Sequence, residues 1–307
     1  MKRIAMGALA LVACSIALIG RSLPVPGAQA DADARAWNQP VKPFHIIGNI
    51  YYIGAKEISS FLIVTPRGDI LLDGGYVQTA PQIEANIRDL GFRLADVKIL
   101  LNSHAHLDHA GGLAELKRVT GARFYASAAD APLLESGGRG DYALDDKYRF
   151  PPLKPDRLLH EGDGVKLGGT ILTAHLTPGH TKGCTTWTMN VEEGGKRYPV
   201  VFDCSTSVLQ GVRLVNNPLY PGIARDYEKA FRVLRSLPCE VFLADHGWMF
   251  DLDAKRQALA RGAKPNPFID SAGYRAHLDS SETAFLKDLR QQLQQEKTGR
   301  KAGHPNR

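Results

Sequence analysis

No Ser-x-x-Lys occurs anywhere in the 307 residues, which excludes the lysine-assisted serine nucleophile that this spacing supplies. Cysteine is scarce, at four residues: Cys14, Cys184, Cys204 and Cys239. Past the N-terminus no apolar stretch reaches membrane-spanning length, so the body of the chain holds no candidate spanning helix. Excess charge is mild, 38 Lys and Arg against 32 Asp and Glu, and no basic stripe with interleaved aromatics accompanies it. A nucleic-acid partner is therefore not expected. With 44 % hydrophobic and 23 % charged residues, the remainder has the composition of a soluble globular protein.

What is present begins with an export signal. Lys2 and Arg3 precede an apolar run from Ile4 to Ile19, and Ala28-Gln29-Ala30 has the small-residue form of a cleavage site. The expected organisation is a signal peptide at 1–30, one domain at 31–297, and a disordered basic tail at 298–307. The mature protein would start at Asp31 in the periplasm, and its formal charge would fall from +6 to +3 because Lys2, Arg3 and Arg21 leave without any acid. Leu11-Val12-Ala13-Cys14 offers an alternative, acylation at Cys14 and an outer-membrane lipoprotein, against which the apolar run continues past Cys14. Apart from such a tether no membrane partner is expected, and the chain is expected to be a monomer. Export favours disulfides, yet the mature chain keeps an odd three cysteines, whose pairing the sequence leaves open.

Alternating apolar runs set the expected elements. Strands are expected at 44–53, 60–64, 69–72, 97–101, 165–176, 185–191, 198–202 and 240–244, and helices at 81–90, 111–120, 226–237 and 281–296. In the last helix Phe285, Leu286, Leu289 and Leu293 form a stripe at helical spacing, expected to pack in the core.

The strand at 97–101 runs into His104-Ala105-His106-Leu107-Asp108-His109, three imidazoles and a carboxylate in six positions. Zinc takes neutral imidazole nitrogen with an occasional carboxylate. Alternate residues of an extended turn point the same way, so His104 and His106 can share one ion. Asp108 and His109 fall on the next turn of chain and suit a second ion nearby, as two-metal hydrolases require. Four ligands cannot complete two sites. His180, after Pro178-Gly179, and His246, after the apolar run Val241 to Ala244, each sit at a strand end where a histidine is exposed and well positioned. His45, His160, His175, His277 and His304 lack such settings and are expected to be structural or surface residues.

The order His-x-His-x-Asp-His, then Pro178-Gly179-His180-Thr181, then Asp245-His246-Gly247, preceded by Ile70-Leu71-Leu72-Asp73-Gly74-Gly75, resembles the metallo-β-lactamase superfamily. Within it the chain is most similar to subclass B3, through Ala110-Gly111-Gly112-Leu113, Ser205-Thr206-Ser207 and Val215-Asn216-Asn217-Pro218. The resemblance implies two zinc ions, the first held by His104, His106 and His180, the second by Asp108, His109 and His246. It also implies hydrolysis of the β-lactam amide of penicillins, cephalosporins and carbapenems by zinc-activated water that Asp108 orients, with Ser205 and Ser207 on the substrate carboxylate. Pattern and resemblance both fit an αββα sandwich, two mixed β-sheets with helices on their outer faces. The chain departs from the family twice. Some members carry a tyrosine where Val212 stands, and members often pair a cysteine at the Cys239 position with one near Phe268, which is missing here. Cys204 lies on the strand from which another subclass draws a zinc ligand, but a core thiol is expected because three ligands already serve the second ion. Two alternatives stay open: a thioester or lactone hydrolase of the same superfamily using Asp203 as a bridging carboxylate, and a zinc carrier without catalysis, for which an open dinuclear site has no use.

Overall fold

The computed structural model describes residues 34–144 and 146–302, with side chains described as far as Thr298. The signal peptide, Cys14, the Asp31 start, His304 and the end of the tail lie outside the described residues. No described helix is long and apolar enough to cross a membrane.

Among the described residues twelve strands form two mixed sheets. The first sheet has seven strands in sequence order: β1 (Phe44–Ile47), β2 (Ile50–Tyr52), β3 (Phe61–Ile63), β4 (Asp69–Leu72), β5 (Val97–Leu101), β6 (Arg123–Ser127) and β7 (Arg157–Leu159). β1 to β4 pair antiparallel, and β4 to β7 pair parallel. The second has β8 (Gly164–Leu167), β9 (Thr170–Leu176), β10 (Thr185–Glu193), β11 (Lys196–Asp203) and β12 (Val241–Ala244), ordered β12-β11-β10-β9-β8. Only β11 and β12 pair parallel there. The helices are α1 (Ala80–Asp89), α2 (Leu107–Ala110), α3 (Leu113–Thr120), α4 (Ala131–Glu135), α5 (Ile223–Ser236), α6 (Leu252–Ala260) and α7 (Ser271–Ala302).

The layers follow from strands buried on both faces. Ile70 and Leu72 of β4 join the core between the sheets, while Leu71 joins the core beneath the helices with Ile83, Ile87, Leu113 and Leu116. That is why Asp69-Ile70-Leu71-Leu72 reads as an apolar run rather than an alternating one. Phe61 of the first sheet meets Phe202 of the second edge to face, ring centroids 5.1 Å apart. Each fully buried side chain of this size contributes about 1.5 to 3 kcal/mol. A third cluster joins α5, α7 and the 208–220 loop through Tyr227, Phe231 and Phe285.

The expected αββα sandwich is the observed fold, with several elements redrawn. The run at 165–176 is a hairpin, because Gly168 and Gly169 at φ 52° and 91° turn the chain between β8 and β9. A turn at Gly48 likewise divides 44–53 into β1 and β2. Strands β6 and β7 and helices α4 and α6 were not expected. α7 begins ten residues before the expected helix and runs to Ala302, so residues 298–302 of the expected disordered tail are helical. Along its stripe Phe285 is buried, Leu286 and Leu289 are partly buried, and Leu293 is 42 % exposed, so Leu293 is not a core residue.

Candidate metal centre

Four strand ends converge at one edge of the sandwich. β5 ends at Leu101, and the loop after it carries His104 and His106. The His106 carbonyl accepts the Ala110 N–H at 2.8 Å, which starts the short α2 and places Asp108 and His109 on its first turn. His180 sits in the turn between β9 and β10, and His246 directly follows β12. Buried carboxylates pin the histidine loop. Asp73 Oδ1 accepts the Ser103 N–H at 2.6 Å. Asp130 accepts the Ala105 N–H at 3.0 Å, the Thr181 hydroxyl at 2.8 Å and the Gly183 N–H at 2.7 Å, tying the His104 loop to the His180 turn.

The side chains gather into two adjoining donor sets. The rings of His104, His106 and His180 form a near-equilateral triangle with centroids 4.7 to 4.8 Å apart. In the second set His109 Nε2 lies 3.3 Å from His246 Nε2 and 3.5 Å from Asp108 Oδ2, with 3.8 Å between His246 and Asp108. The edge of a tetrahedron of ligands about 2.0–2.1 Å from zinc is roughly 3.3–3.4 Å, near the two shorter separations, while the third is longer. The His104 and His109 rings, 4.3 Å apart, join the two sets. Both sets are buried and could hold a metal ion.

Hydrogen bonds hold the outer nitrogens of His180, His246 and His104, while those of His106 and His109 face carboxylates without a hydrogen bond. His180 Nδ1 donates to the Ser207 carbonyl at 2.8 Å and His246 Nδ1 to the Glu57 carbonyl at 3.1 Å, leaving each Nε2 lone pair directed into the centre. His106 Nε2 lies 3.3 Å from Asp141, His109 Nδ1 3.6 Å from Asp73, and His104 Nδ1 3.0 Å from the Ser103 hydroxyl and 3.5 Å from Asp245. His104 Nε2 is buried without a hydrogen-bond partner, an orphan that a metal ion would satisfy.

Electrostatics hold His104, His180, His246 and Asp108, but not His109, in the forms metals bind. Burial, reinforced by neighbouring histidines, holds His104 well below the usual imidazole range and lowers His180 and His246 to about 3, so all three are neutral. Burial alone would raise Asp108, but the charge and hydrogen bond of His109, with His246, hold its carboxyl far below the usual range. For His109 burial opposes charge, and Asp108 with Asp73 outweighs it and raises the ring well above its ordinary value. Metal binding there would displace a proton.

Around this centre the other candidate residues divide. Ser205 Oγ and Ser207 Oγ hydrogen-bond at 2.8 Å, and Ser207 Oγ lies 3.2 Å from His180 Nδ1. Ser207 is exposed, whereas Ser205 is buried behind it. Asp203 turns away, pairing with His277 at 3.1 Å and with the Thr186 hydroxyl at 3.3 Å. Cys204 is bonded to Cys184, beneath His104, and Cys239 is the free cysteine among the described residues. Val212 is buried in the third apolar cluster. Asp130 and Asp141 were not anticipated, and Asp73 and Asp245 were read only as parts of motifs. The signal for Asp73 was its place before Gly74-Gly75, at a turn where it takes φ 65°; Asp130 and Asp141 had none.

Residues 53–193 match the metallo-beta-lactamase superfamily. Among solved structures the chain is similar to the native FEZ-1 metallo-beta-lactamase from Legionella gormanii, at 44 % identity and TM-score 0.82, covering 83 % of this chain and 98 % of that one. It is also similar to BJP-1, a subclass B3 metallo-beta-lactamase of Bradyrhizobium japonicum, at 43 % identity and TM-score 0.78, covering 84 % and 97 %. A hydroxyacylglutathione hydrolase of Cereibacter sphaeroides is 36 % identical over 107 residues, 35 % of this chain and 34 % of that protein. The chain thus spans only about a third of the length of the hydroxyacylglutathione hydrolases it matches.

Proposed function

The chain belongs to the metallo-β-lactamase superfamily, and within it we propose a zinc-dependent β-lactamase that opens the amide of penicillins, cephalosporins and carbapenems and so confers antibiotic resistance. The observation that carries this reading is the pair of adjoining donor sets, three imidazoles beside two imidazoles and a carboxylate, with the two shorter separations of the second near the tetrahedral edge. His104, His106 and His180 would hold one zinc ion, and Asp108, His109 and His246 a second. Bound zinc supplies Lewis acidity and lowers the pKa of water toward about 7, so no strong side-chain base is needed.

The chain's own residues do the rest. Asp108, held anionic by His109 and His246, accepts a hydrogen bond from the attacking water and aims it at the lactam carbonyl. Ser207 presents its hydroxyl at the rim beside His180 and donates to the substrate carboxylate, while Ser205 holds Ser207 in place from behind. Val212, packed in the apolar cluster, offers no hydroxyl to the oxyanion. The reading includes action as a monomer on a small molecule, and export to the periplasm, the export supported by the N-terminal Lys2-Arg3, apolar run and Ala28-Gln29-Ala30.

The test is a metal count on purified protein combined with turnover of a chromogenic cephalosporin, a penicillin and a carbapenem. Two zinc ions per chain, cleavage of all three, loss of activity with a chelator and indifference to serine-acylating inhibitors are expected. The matches to hydroxyacylglutathione hydrolases make a thioester the informative control. A protein that binds two zinc ions and cleaves only thioesters or lactones sinks the lactamase reading and leaves the metal sites standing.

A further inference from the structure

The candidate centre has two chemically different ends. Hydroxyls stand at the His180 end, with Ser207 Oγ 3.2 Å from the ring and Ser205 behind it. Indoles stand at the His246 end. Trp248 stacks on the His246 ring, centroids 4.0 Å and planes 19° apart. Trp37, in the helical turn at 34–37, packs against Trp248 at 5.1 Å and meets His246 edge-on at 5.8 Å.

Trp248 remains 46 % exposed, while Trp37 packs on a buried apolar cluster that includes Ile58 and Tyr76. The exposed face is rigidly held. The Gly247 N–H donates to the Glu57 carbonyl at 3.1 Å, Ile58 bridges to His246, and a side chain at Gly247 would collide with the Lys56 carbonyl. Trp37 blocks one side of the indole. A flat apolar surface is thus fixed against a candidate metal ligand, at the end of the centre away from the serines. Such a surface takes another flat apolar group at little entropic cost.

We propose that Trp248 and Trp37 form an aromatic subsite for the apolar, above all aryl, substituent of the substrate, opposite Ser207, which receives its carboxylate. The proposal rests on the reading of this centre as a hydrolytic site and names a further determinant of its substrate class. A stacking contact remote from the reacting bond is made equally in the ground and transition states, so it acts on KM and on ligand affinity rather than on kcat.

The experiment uses the zinc-loaded protein and two matched pairs of probes. Calorimetry compares phenylacetate with acetate, and steady-state kinetics compares benzylpenicillin with 6-aminopenicillanic acid, which lacks the aryl side chain. Trp248→Ala is expected to weaken phenylacetate binding about tenfold and raise the benzylpenicillin KM by a similar factor, the loss confined to the aryl member of each pair. Trp248→Phe, which keeps a ring, restores most of the preference. Trp37→Ala, farther from His246, gives the same selectivity at smaller amplitude should Trp248→Ala disturb zinc content. Equal effects on both members of each pair, or none, overturn the subsite. If the wild-type protein cleaves neither penicillin yet prefers phenylacetate through Trp248, the subsite stands and the β-lactamase reading falls. If both penicillins are cleaved and neither tryptophan variant separates them, the reverse holds.

Discussion

In the proposed mechanism Asp108 would both retain metal and orient water, since its carboxylate lies 3.5 Å from His109 and 3.8 Å from His246 while 13 % of its side chain faces outward. Asp108→Asn preserves size and removes the charge. Occupancy of the second metal site and lactam turnover should both fall, by on the order of 10²-fold or more, measured by metal analysis and cephalosporin hydrolysis. Asp69 makes a different residue-scale prediction, far from the centre. Burial raises its carboxyl to about 6; the Thr65 N–H lowers it and nearby Asp96 raises it, with Lys98 opposing. The folded state therefore keeps a proton between about pH 4 and 6 that the unfolded chain has lost, and stability falls as pH rises through that window. Asp69→Asn removes this cost. The variant should match wild type near pH 4 and exceed it by about 1 to 2 kcal/mol at pH 7, read by denaturant unfolding at both pH values. A difference independent of pH would refute the assignment.

At the scale of elements, the turn between β9 and β10 shows how backbone conformation places a candidate ligand. Gly179 takes φ 140°, and a Cβ there would meet the Tyr227 ring at 2.7 Å. The Tyr227 hydroxyl in turn donates to the Ser207 carbonyl at 2.8 Å, the same carbonyl that orients His180. Gly179→Ala should thus move His180 and Tyr227 together. A stability loss of about 2 kcal/mol is expected, with weaker zinc retention at the His104, His106, His180 set, followed by thermal melting and chelator competition. Unchanged zinc affinity would mean that His180 is held by other contacts. The 185–191 run is legible in sequence because Trp187, Met189 and Val191 alternate onto the inter-sheet core. β6 is not, because Arg123 is exposed, Tyr125 is half-buried, and its pairing partners in β5 and β7 lie far along the chain.

For the whole molecule, the Cys184–Cys204 disulfide closes a loop of 20 residues and links the start of β10 to the end of β11 beneath His104. A loop of that size removes about 3 kcal/mol of unfolded-state entropy. Replacing both cysteines with serine should lower the unfolding free energy by that order, read by denaturant unfolding. A double variant as stable as wild type would count against it.

The sequence by itself singled out the candidate donors. Six residues suited to zinc stand out by chemical type and by position after apolar runs, and the local spacing of His104 to His109 already divides four of them into two pairs. It also determined the layering, since runs buried on both faces read differently from amphipathic helices. Tertiary structure decided what depends on partners distant in sequence. Asp245 approaches His104 across 141 residues, Asp130 clasps Thr181 across 51, and Asp203 is turned to His277 rather than toward the centre. The odd cysteine count resolved only when the sheet set Cys184 and Cys204 together. Periodicity and motif spacing report what a residue meets within a turn or a strand. Which carboxylate stands behind which imidazole is fixed by strand order and register, and those are properties of the folded chain.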